Sequence, residues 1–238
     1  MVYRLAGAIA ARLLPARCLL CGGPGSGPGI DLCAACAADL PAIDGPACPR
    51  CALPATTPAA TGYCMECHLR PPPFAACVAA FRYDFPLTRM VPALKYEAAL
   101  ANARVLGRLL AAAVARRAAT GADTIVPMPL HCDRLVERGC NQSYEIARFT
   151  AAALHTRLDP RALARLRPTV PQVGLSRDAR IGNVVGAFAA DRRRVHDLRI
   201  ALVDDVVTTG STAAAASQAL LAAGAARVEV WCVARAPG

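Results

Sequence analysis

The sequence predicts an α/β fold, a parallel sheet with flanking helices in the Rossmann-like manner, preceded by a small cysteine-rich module. Three observations carry this expectation: a strand, loop and helix pattern over residues 200–224, a last apolar strand at Val228 to Val233, and four C-x-x-C pairs ahead of a proline-rich break. Two strands joined through a helix and lying in one sheet need a crossover connection, so they run parallel.

Ile200 to Val203 is a short, continuous apolar run of the kind found in a strand covered on both faces, and it stops at Asp204 and Asp205. The acids are therefore expected at a strand's carboxyl end. After Val206 and Val207 come Thr208, Thr209, Gly210, Ser211 and Thr212, then Ala213 to Ala223, a run of strong helix formers closed by Gly224. Such a loop gathers backbone N–H groups and the positive end of a helix dipole at one point, which suits a phosphate. Gly210 permits close approach or a positive φ, and the hydroxyls can donate to phosphate oxygens. Carboxylates only accept, so the two acids require hydroxyl donors; a sugar 5′-phosphate with vicinal hydroxyls satisfies both halves. The plainer reading, Asp204 capping the strand and Thr212 the helix, is outweighed by the doubled acid together with the hydroxyl run.

The string Asp-Asp-Val-x-Thr-Thr-Gly-x-Thr resembles the 5-phosphoribosyl 1-pyrophosphate (PRPP) loop of type I phosphoribosyltransferases. The resemblance implies that Asp204 and Asp205 contact the ribose 2′- and 3′-hydroxyls and that Thr208, Thr209, Gly210, Ser211 and Thr212 hold the 5′-phosphate.

With 238 residues the chain has room for one α/β domain and a smaller one, and an apolar content of 55% excludes general disorder. A net charge of +10 favours polyanionic partners, nucleic acid or phosphates. Near the start, Arg12 interrupts the apolar stretch Leu5 to Leu14, and Leu5, Ile9 and Leu13 recur every four residues, so a packing helix is expected there rather than an export signal. No run of eighteen apolar residues occurs, which predicts no membrane span and a cytoplasmic protein.

Cys18/Cys21, Cys33/Cys36, Cys48/Cys51 and Cys64/Cys67 have the spacing of zinc knuckles, with eleven to twelve residues between successive pairs. Four pairs make two structural Cys₄ zinc sites. Disulfides need an oxidising compartment, and an iron–sulfur cluster wants a denser array. Large apolar residues are too few here for a core, and a structural zinc, worth about 10 to 16 kcal/mol in finger peptides, supplies the missing stability. Sequential and interleaved ligand pairings both remain open, local closure favouring the sequential one. His68 is read as a bystander. The ribbons suit a structural cap and a nucleic-acid or partner surface equally.

Leu69-Arg-Pro-Pro-Pro-Phe74 is the linker, dividing a zinc-ribbon domain, 1–72, from an α/β domain, 73–238. Cys77 to Tyr83 reads as the first strand of the second domain, Leu100 to Ala119 as a helix and Asp123 to Val126 as a strand that ends at Pro127-Met128-Pro129-Leu130. Two X-Pro bonds make unusual loop geometry, even a cis peptide, accessible there. Arg134 and Arg138, four apart, face the same way on a helical turn and suit a diphosphate; Lys95 is a further candidate contact. Cys77, Cys132, Cys140 and Cys232 lack knuckle spacing and are expected to pack as small apolar residues. Arg192 to Arg194 reads equally as a nucleic-acid contact and a solvated turn.

Together these segments resemble the ComF family (ComFC/GntX-like proteins), in which a Cys₄ zinc module precedes a type I phosphoribosyltransferase domain. The carriers are the cysteine pairs, Leu94-Lys-Tyr96, Val126-Pro-Met-Pro-Leu-His131, Arg134-Leu-x-x-Arg138-Gly-Cys-Asn-Gln142, Thr169-x-x-Gln172, Leu175-Ser-x-x-x-Arg180-x-x-Asn183, Gly186-Ala-Phe188 and the Asp204 loop. Cys140 departs from the family's usual aromatic residue, which puts a packing contact in doubt. The resemblance implies PRPP binding with magnesium and pyrophosphate contacts from Lys95, Pro127, Met128, Pro129, Arg134 and Arg138. It also implies a lid over Thr169 to Asn183 carrying Arg177, Arg180 and Asn183, with Asp204, Asp205 and Arg138 as catalytic residues. It associates the chain with DNA uptake in natural transformation or use of DNA as nutrient. Single-stranded DNA, a DNA-uptake helicase and other competence proteins are the implied partners, and phosphoribosyl transfer to an unnamed acceptor stands against a non-catalytic PRPP sensor or ssDNA-binding module.

Overall fold

The computed structural model describes residues 17–26, 31–43, 45–54, 62–117, 121–168 and 186–237. The amphipathic segment of Leu5, Ile9 and Leu13, and the candidate lid with Arg177, Arg180 and Asn183, lie outside the described residues.

Five strands, β1 (Ala76–Arg82), β2 (Thr124–Pro127), β3 (Arg157–Leu158), β6 (Arg199–Val207) and β7 (Arg227–Arg235), form one parallel sheet in the order β1-β7-β6-β2-β3. A separate antiparallel pair, β4 (Leu163–Arg165) and β5 (Phe188–Ala190), stands beside it. The described helices are α1 (Ala34–Ala38), α2 (Met65–Leu69), α3 (Leu87–Tyr96), α4 (Leu100–Arg116), α5 (Cys132–Arg138), α6 (Gln142–Leu154), α7 (Arg192–Val195) and α8 (Ser211–Ala222).

Strand alternation sorts the central side chains into two cores. Ala201, Val203, Trp231 and Val233 pack with Leu94, Leu106, Leu110 and Ile146 from α3, α4 and α6, while Ile200, Leu202, Val228 and Val230 pack with Ala213, Ala216 and Leu220 from α8. With helices on both faces, β6 and β7 need continuous apolar runs, and their sequences supply them. Both extend past the apolar residues, however, and β6 runs through Asp204 and Asp205 to Val207. The acids are thus inside the strand rather than beyond it, because the ladder to β7 continues through Asp204↔Cys232 and Val207↔Arg235 regardless of side-chain polarity.

The α3 helix has no counterpart in the sequence reading. Pro92 lies within it, yet Leu87, Met90, Val91 and Leu94 recur at helical spacing and are all buried. A proline removes one main-chain bond and does not erase an apolar stripe. Helix α4 crosses α6 so closely that a Cβ built on Gly107 would stand 2.6 Å from the Ile146 carbonyl oxygen. The peptide bond before Pro86 is cis, whereas those before Pro127 and Pro129 are trans.

The cysteine-rich segment covers what would be the open edge of the sheet. Ala42 bridges Phe81, the Arg82 N–H donates to Pro41 O at 2.9 Å, and the Cys77 N–H donates to Pro49 O at 3.2 Å. Covering an edge strand removes a template for association. Leu32 and Leu40, too few for a core of their own, are buried in the core under α3 and α4, and Asp31 pairs with Arg104. Among the described residues no helix is long and apolar enough to cross a membrane.

Candidate functional site: a phosphate loop with an acidic pair, and two Cys₄ centres

At the carboxyl end of β6, a cavity of about 130 Å³ is lined by Asp204, Thr208, Gly210, Ser211 and Thr212. Gly210 is the N-cap of α8 at φ +79° and brings no capping side chain; only Val207 Cγ1, at 3.9 Å, would meet a Cβ there, so the left-handed turn rather than space calls for glycine. The Thr209 and Ser211 hydroxyls lie 3.0 Å apart. The loop therefore presents a helix N-terminus and a hydroxyl cluster beside the half-buried Asp204.

The two acids have unlike surroundings. Asp204 Oδ1 accepts from the Ser143 hydroxyl at 3.0 Å and from the Asp205 N–H at 2.9 Å. Burial, then the neighbouring Asp205 charge, push its carboxyl up to about 7, with Lys95 and Ser143 pulling the other way. Asp205, 4% exposed, turns toward Lys95, whose Nζ lies 2.7 Å from Oδ2. The charges meet closely, but Oδ2 has no well-aligned hydrogen-bond donor. Lys95, read from the sequence as a pyrophosphate contact, is the partner of Asp205 here.

Helix α5 carries Arg134 and Arg138 next to the strand-end loop that follows β2. Arg134 pairs with Glu137 at 2.6 Å, while Arg138 reaches Gln142 Oε1 at 3.3 Å and lies over the Tyr96 ring at 5.3 Å. Pro127 and Pro129 line a larger cleft of about 580 Å³ with Leu130, Cys140 and Tyr144; Met128 is buried, its N–H donating to Val203 O at 2.8 Å. Asn141 holds this loop in place: its Nδ2 donates to Met128 O at 3.0 Å while its Oδ1 caps α6 by accepting from Ser143 and Tyr144 N–H.

The sequence reading missed two participants. Ser143, fully buried, holds Asp204, and the N-cap pattern starting at Asn141 was the available signal. Arg165 on β4 is close enough that, after burial, which lowers its pKa, Asp204 raises it and Arg134 and Arg138 lower it. Nothing in a three-residue strand of an arginine-rich stretch marks it out. Arg194, from the basic run, is tied to Asp159 at 3.0 Å and to Asp191 at 3.3 Å, which favours the solvated-turn reading for that residue. Of the four unpaired cysteines, Cys77 and Cys232 pack in the core as expected, but Cys132 is exposed at the start of α5 and Cys140 is half-buried in the cleft. Cys140 lines that cleft beside Tyr144.

The eight knuckle cysteines form two clusters, Cys18, Cys21, Cys33 and Cys36, then Cys48, Cys51, Cys64 and Cys67, each with its sulfurs within 4.8 Å of one another. The pairing is sequential. Cys21 and Cys33 Sγ are 3.8 Å apart, and Cys51 and Cys64 Sγ are 3.6 Å apart. Tetrahedral zinc with Zn–S near 2.3 Å places sulfurs about 3.8 Å apart, so the donor set fits the metal. The Cys64 N–H approaches Cys48 Sγ at 3.4 Å, and such donors bring Cys48 down to about 7 against the effect of burial, while burial sends Cys51 up to about 12. Four thiols so placed cannot all ionise without a cation among them. The two knuckles are copies: Arg17 bridges Pro24 as Ala47 bridges Pro54. The residue after the second cysteine is left-handed in both, Gly22 at φ 74° and Ala52 at φ 58°. His68 is exposed and outside both clusters.

A parallel sheet whose central strand carries an acidic pair into a hydroxyl-rich loop, with two Cys₄ ribbons on its edge, defines a type I phosphoribosyltransferase-like α/β protein with a double zinc ribbon. Residues 9–68 match the double zinc ribbon domain family. DNA utilization protein YhgH of Escherichia coli strain K12 is 37% identical over 226 residues, 93% of this chain and 98% of that protein. Its Salmonella typhimurium namesake is 40% identical over 193 residues, 79% of this chain and 83% of that one. Competence protein F of Haemophilus influenzae is 32% identical over 180 residues, 73% and 79% of the two chains. The chain belongs to the ComF family. Among solved structures, the glutamine PRPP amidotransferase of B. subtilis complexed with ADP and GMP aligns at 25% identity and a TM-score of 0.36, over 52% of this chain and 24% of that one. UMP synthase of Leishmania donovani aligns at 20% identity and a TM-score of 0.33, over 60% and 22%.

Proposed function

We propose that the protein binds PRPP at the end of β6 and breaks its C1′–pyrophosphate bond, in the service of using DNA that has been taken up. The observation that carries this reading is the meeting of the Thr208 to Thr212 cavity with an acidic pair and the cations Lys95, Arg134, Arg138 and Arg165. The loop would anchor the 5′-phosphate, with Asp204 accepting from a ribose hydroxyl, while Asp205, buried against Lys95, would hold that lysine beside the site. Arg134, Arg138 and Arg165 would draw off the charge that grows on the departing pyrophosphate as C1′ becomes oxocarbenium-like. Magnesium, held by the ligand's diphosphate and by Asp204, would supply further charge neutralisation there. The bond to C1′ would be remade to a nucleophile of the acceptor, in transfer, or to water, in hydrolysis, as pyrophosphate leaves.

The second reading, a PRPP-sensing or single-stranded DNA-binding module, draws on the exposed ring of Tyr96, which lies against Arg138, and on the net charge of +10. Its partners would be incoming DNA and the competence machinery, in keeping with relatives named for DNA utilization and competence. Pyrophosphate release from Mg-PRPP, with and without candidate acceptors, separates the two. Release that disappears in the Asp204→Ala/Asp205→Ala variant supports transfer or hydrolysis. Calorimetric PRPP binding without release leaves a sensor, and no PRPP binding at all removes the ligand assignment.

A further inference from the structure

We infer that Arg235 is a positioning residue that ties the shape of the phosphate loop to the metal state of the second zinc ribbon. It closes β7 and is 4% exposed. Its Nε donates to the Cys51 carbonyl at 2.8 Å, and its Nη1 donates to the carbonyls of Val207 at 3.0 Å, Ala236 at 2.6 Å and Thr208. Cys51 is one of the four thiols of the second cluster, and Val207 and Thr208 are where β6 gives way to the loop. One buried guanidinium thus joins the main chain of a metal knuckle to the main chain from which the loop hangs.

Packing follows the same route. Ala52, held in a left-handed conformation after Cys51 and 2% exposed, belongs to the same core as Val207, and the Ala236 N–H returns to Val207 O at 3.0 Å. The first ribbon is anchored elsewhere, through Leu32 and Leu40 under α3 and α4 and through Asp31 on Arg104. Zinc fixes the turn that carries Cys51. When that turn loosens, Arg235 loses one of its acceptors, and the fork that holds Val207 and Thr208 is free to rotate. A loop whose entry carbonyls lose their donor no longer presents its N–H groups at one point. The inference rests on the phosphate-loop reading for its consequence in ligand binding, but not for the coupling itself.

The test is a double-mutant cycle on the full chain with Cys64→Ser, Arg235→Gln and both together. The readouts are amide exchange over residues 207–212 without ligand and calorimetric binding of ribose 5-phosphate, with folding checked by the fluorescence of buried Trp231. Cys64→Ser should speed loop exchange by about tenfold, the scale of one charge-assisted hydrogen bond, and should add nothing in the Arg235→Gln background. Arg235→Lys, which keeps the charge but not the fork, should behave as Arg235→Gln. Unchanged loop exchange in Cys64→Ser, or additive effects of the two substitutions, overturns the inference. Should Cys64→Ser not fold, graded zinc removal from the wild-type chain serves instead: loop exchange that fails to follow the loss of the second zinc is then the negative result. A loop that couples to zinc but takes no ribose 5-phosphate refutes the ligand reading and leaves the coupling standing.

Discussion

Lys95 Nζ stands 2.7 Å from Asp205 Oδ2, and this pair divides the two acids of β6 into different jobs. Asp205 looks into the core side of the sheet, where α3 brings the lysine; Asp204 looks toward the cavity of the Thr208 to Thr212 loop and is held by Ser143. Lys95 is the only lysine among 27 basic residues of the chain. Burial would lower its pKa, but Asp205 and then Asp204 outweigh that, so the ammonium is held charged.

Lys95→Met should leave Asp205 buried without its counter-charge and cost about 3 kcal/mol of stability at pH 8, read from urea unfolding. Lys95→Arg keeps the charge, yet a planar fork does not fit where a compact ammonium sits, so it should restore only part of the loss. Equal midpoints for all three proteins would mean that the pair contributes nothing.

Asp204→Asn tests the raised carboxyl. A folded pKa of about 7 against an ordinary 3.8 means that Asp204 favours the folded state fully below about pH 4 and that this contribution is lost as pH rises through 7. The asparagine variant should therefore show a flatter dependence between pH 4 and 8 and be more stable than wild type at pH 8, by about 2 kcal/mol. It should bind PRPP more weakly. A pH profile parallel to that of the wild type would contradict the shift.

Arg134→Ala, Arg138→Ala and Arg165→Ala should each weaken PRPP binding by about tenfold, one charge-assisted contact apiece. Ribose 5-phosphate has no pyrophosphate, so its affinity should change little. Equal losses for both ligands by calorimetry would place these arginines at the 5′-phosphate instead.

Metal content by atomic emission should be two zinc per chain, from the two cysteine clusters. Chelation should also release Pro41, Ala42 and Pro49 from the β1 edge and make the protein associate in a concentration-dependent way, visible in light scattering. Iron, or less than one zinc, would overturn the ribbon chemistry.

Gly107→Ala places a methyl 2.6 Å from the Ile146 carbonyl oxygen and 2.8 Å from Phe149 Cβ, so α4 and α6 must separate. A loss of about 1 to 3 kcal/mol is expected, with PRPP affinity nearly unchanged. A neutral result would show that the crossing can relax.

The sequence by itself determined the pieces whose parts lie close along the chain. The cysteine spacing set two Cys₄ clusters, the Asp204 to Thr212 string set an acidic strand end running into a hydroxyl-lined loop, and the apolar runs around it set β6, α8 and β7. Each needs only local geometry, a two-residue knuckle gap or a strand-to-helix turn. Tertiary structure alone decided which side chains meet at that loop. Ser143 reaches Asp204 across 61 positions and Arg235 reaches Cys51 across 184, because the order β1-β7-β6-β2-β3 sets β6 between β7 and β2 and lays the second ribbon along the outer edge. Periodicity reports which face of an element is apolar, but not which element will cover it; that choice belongs to the crossover connections and the packing they permit.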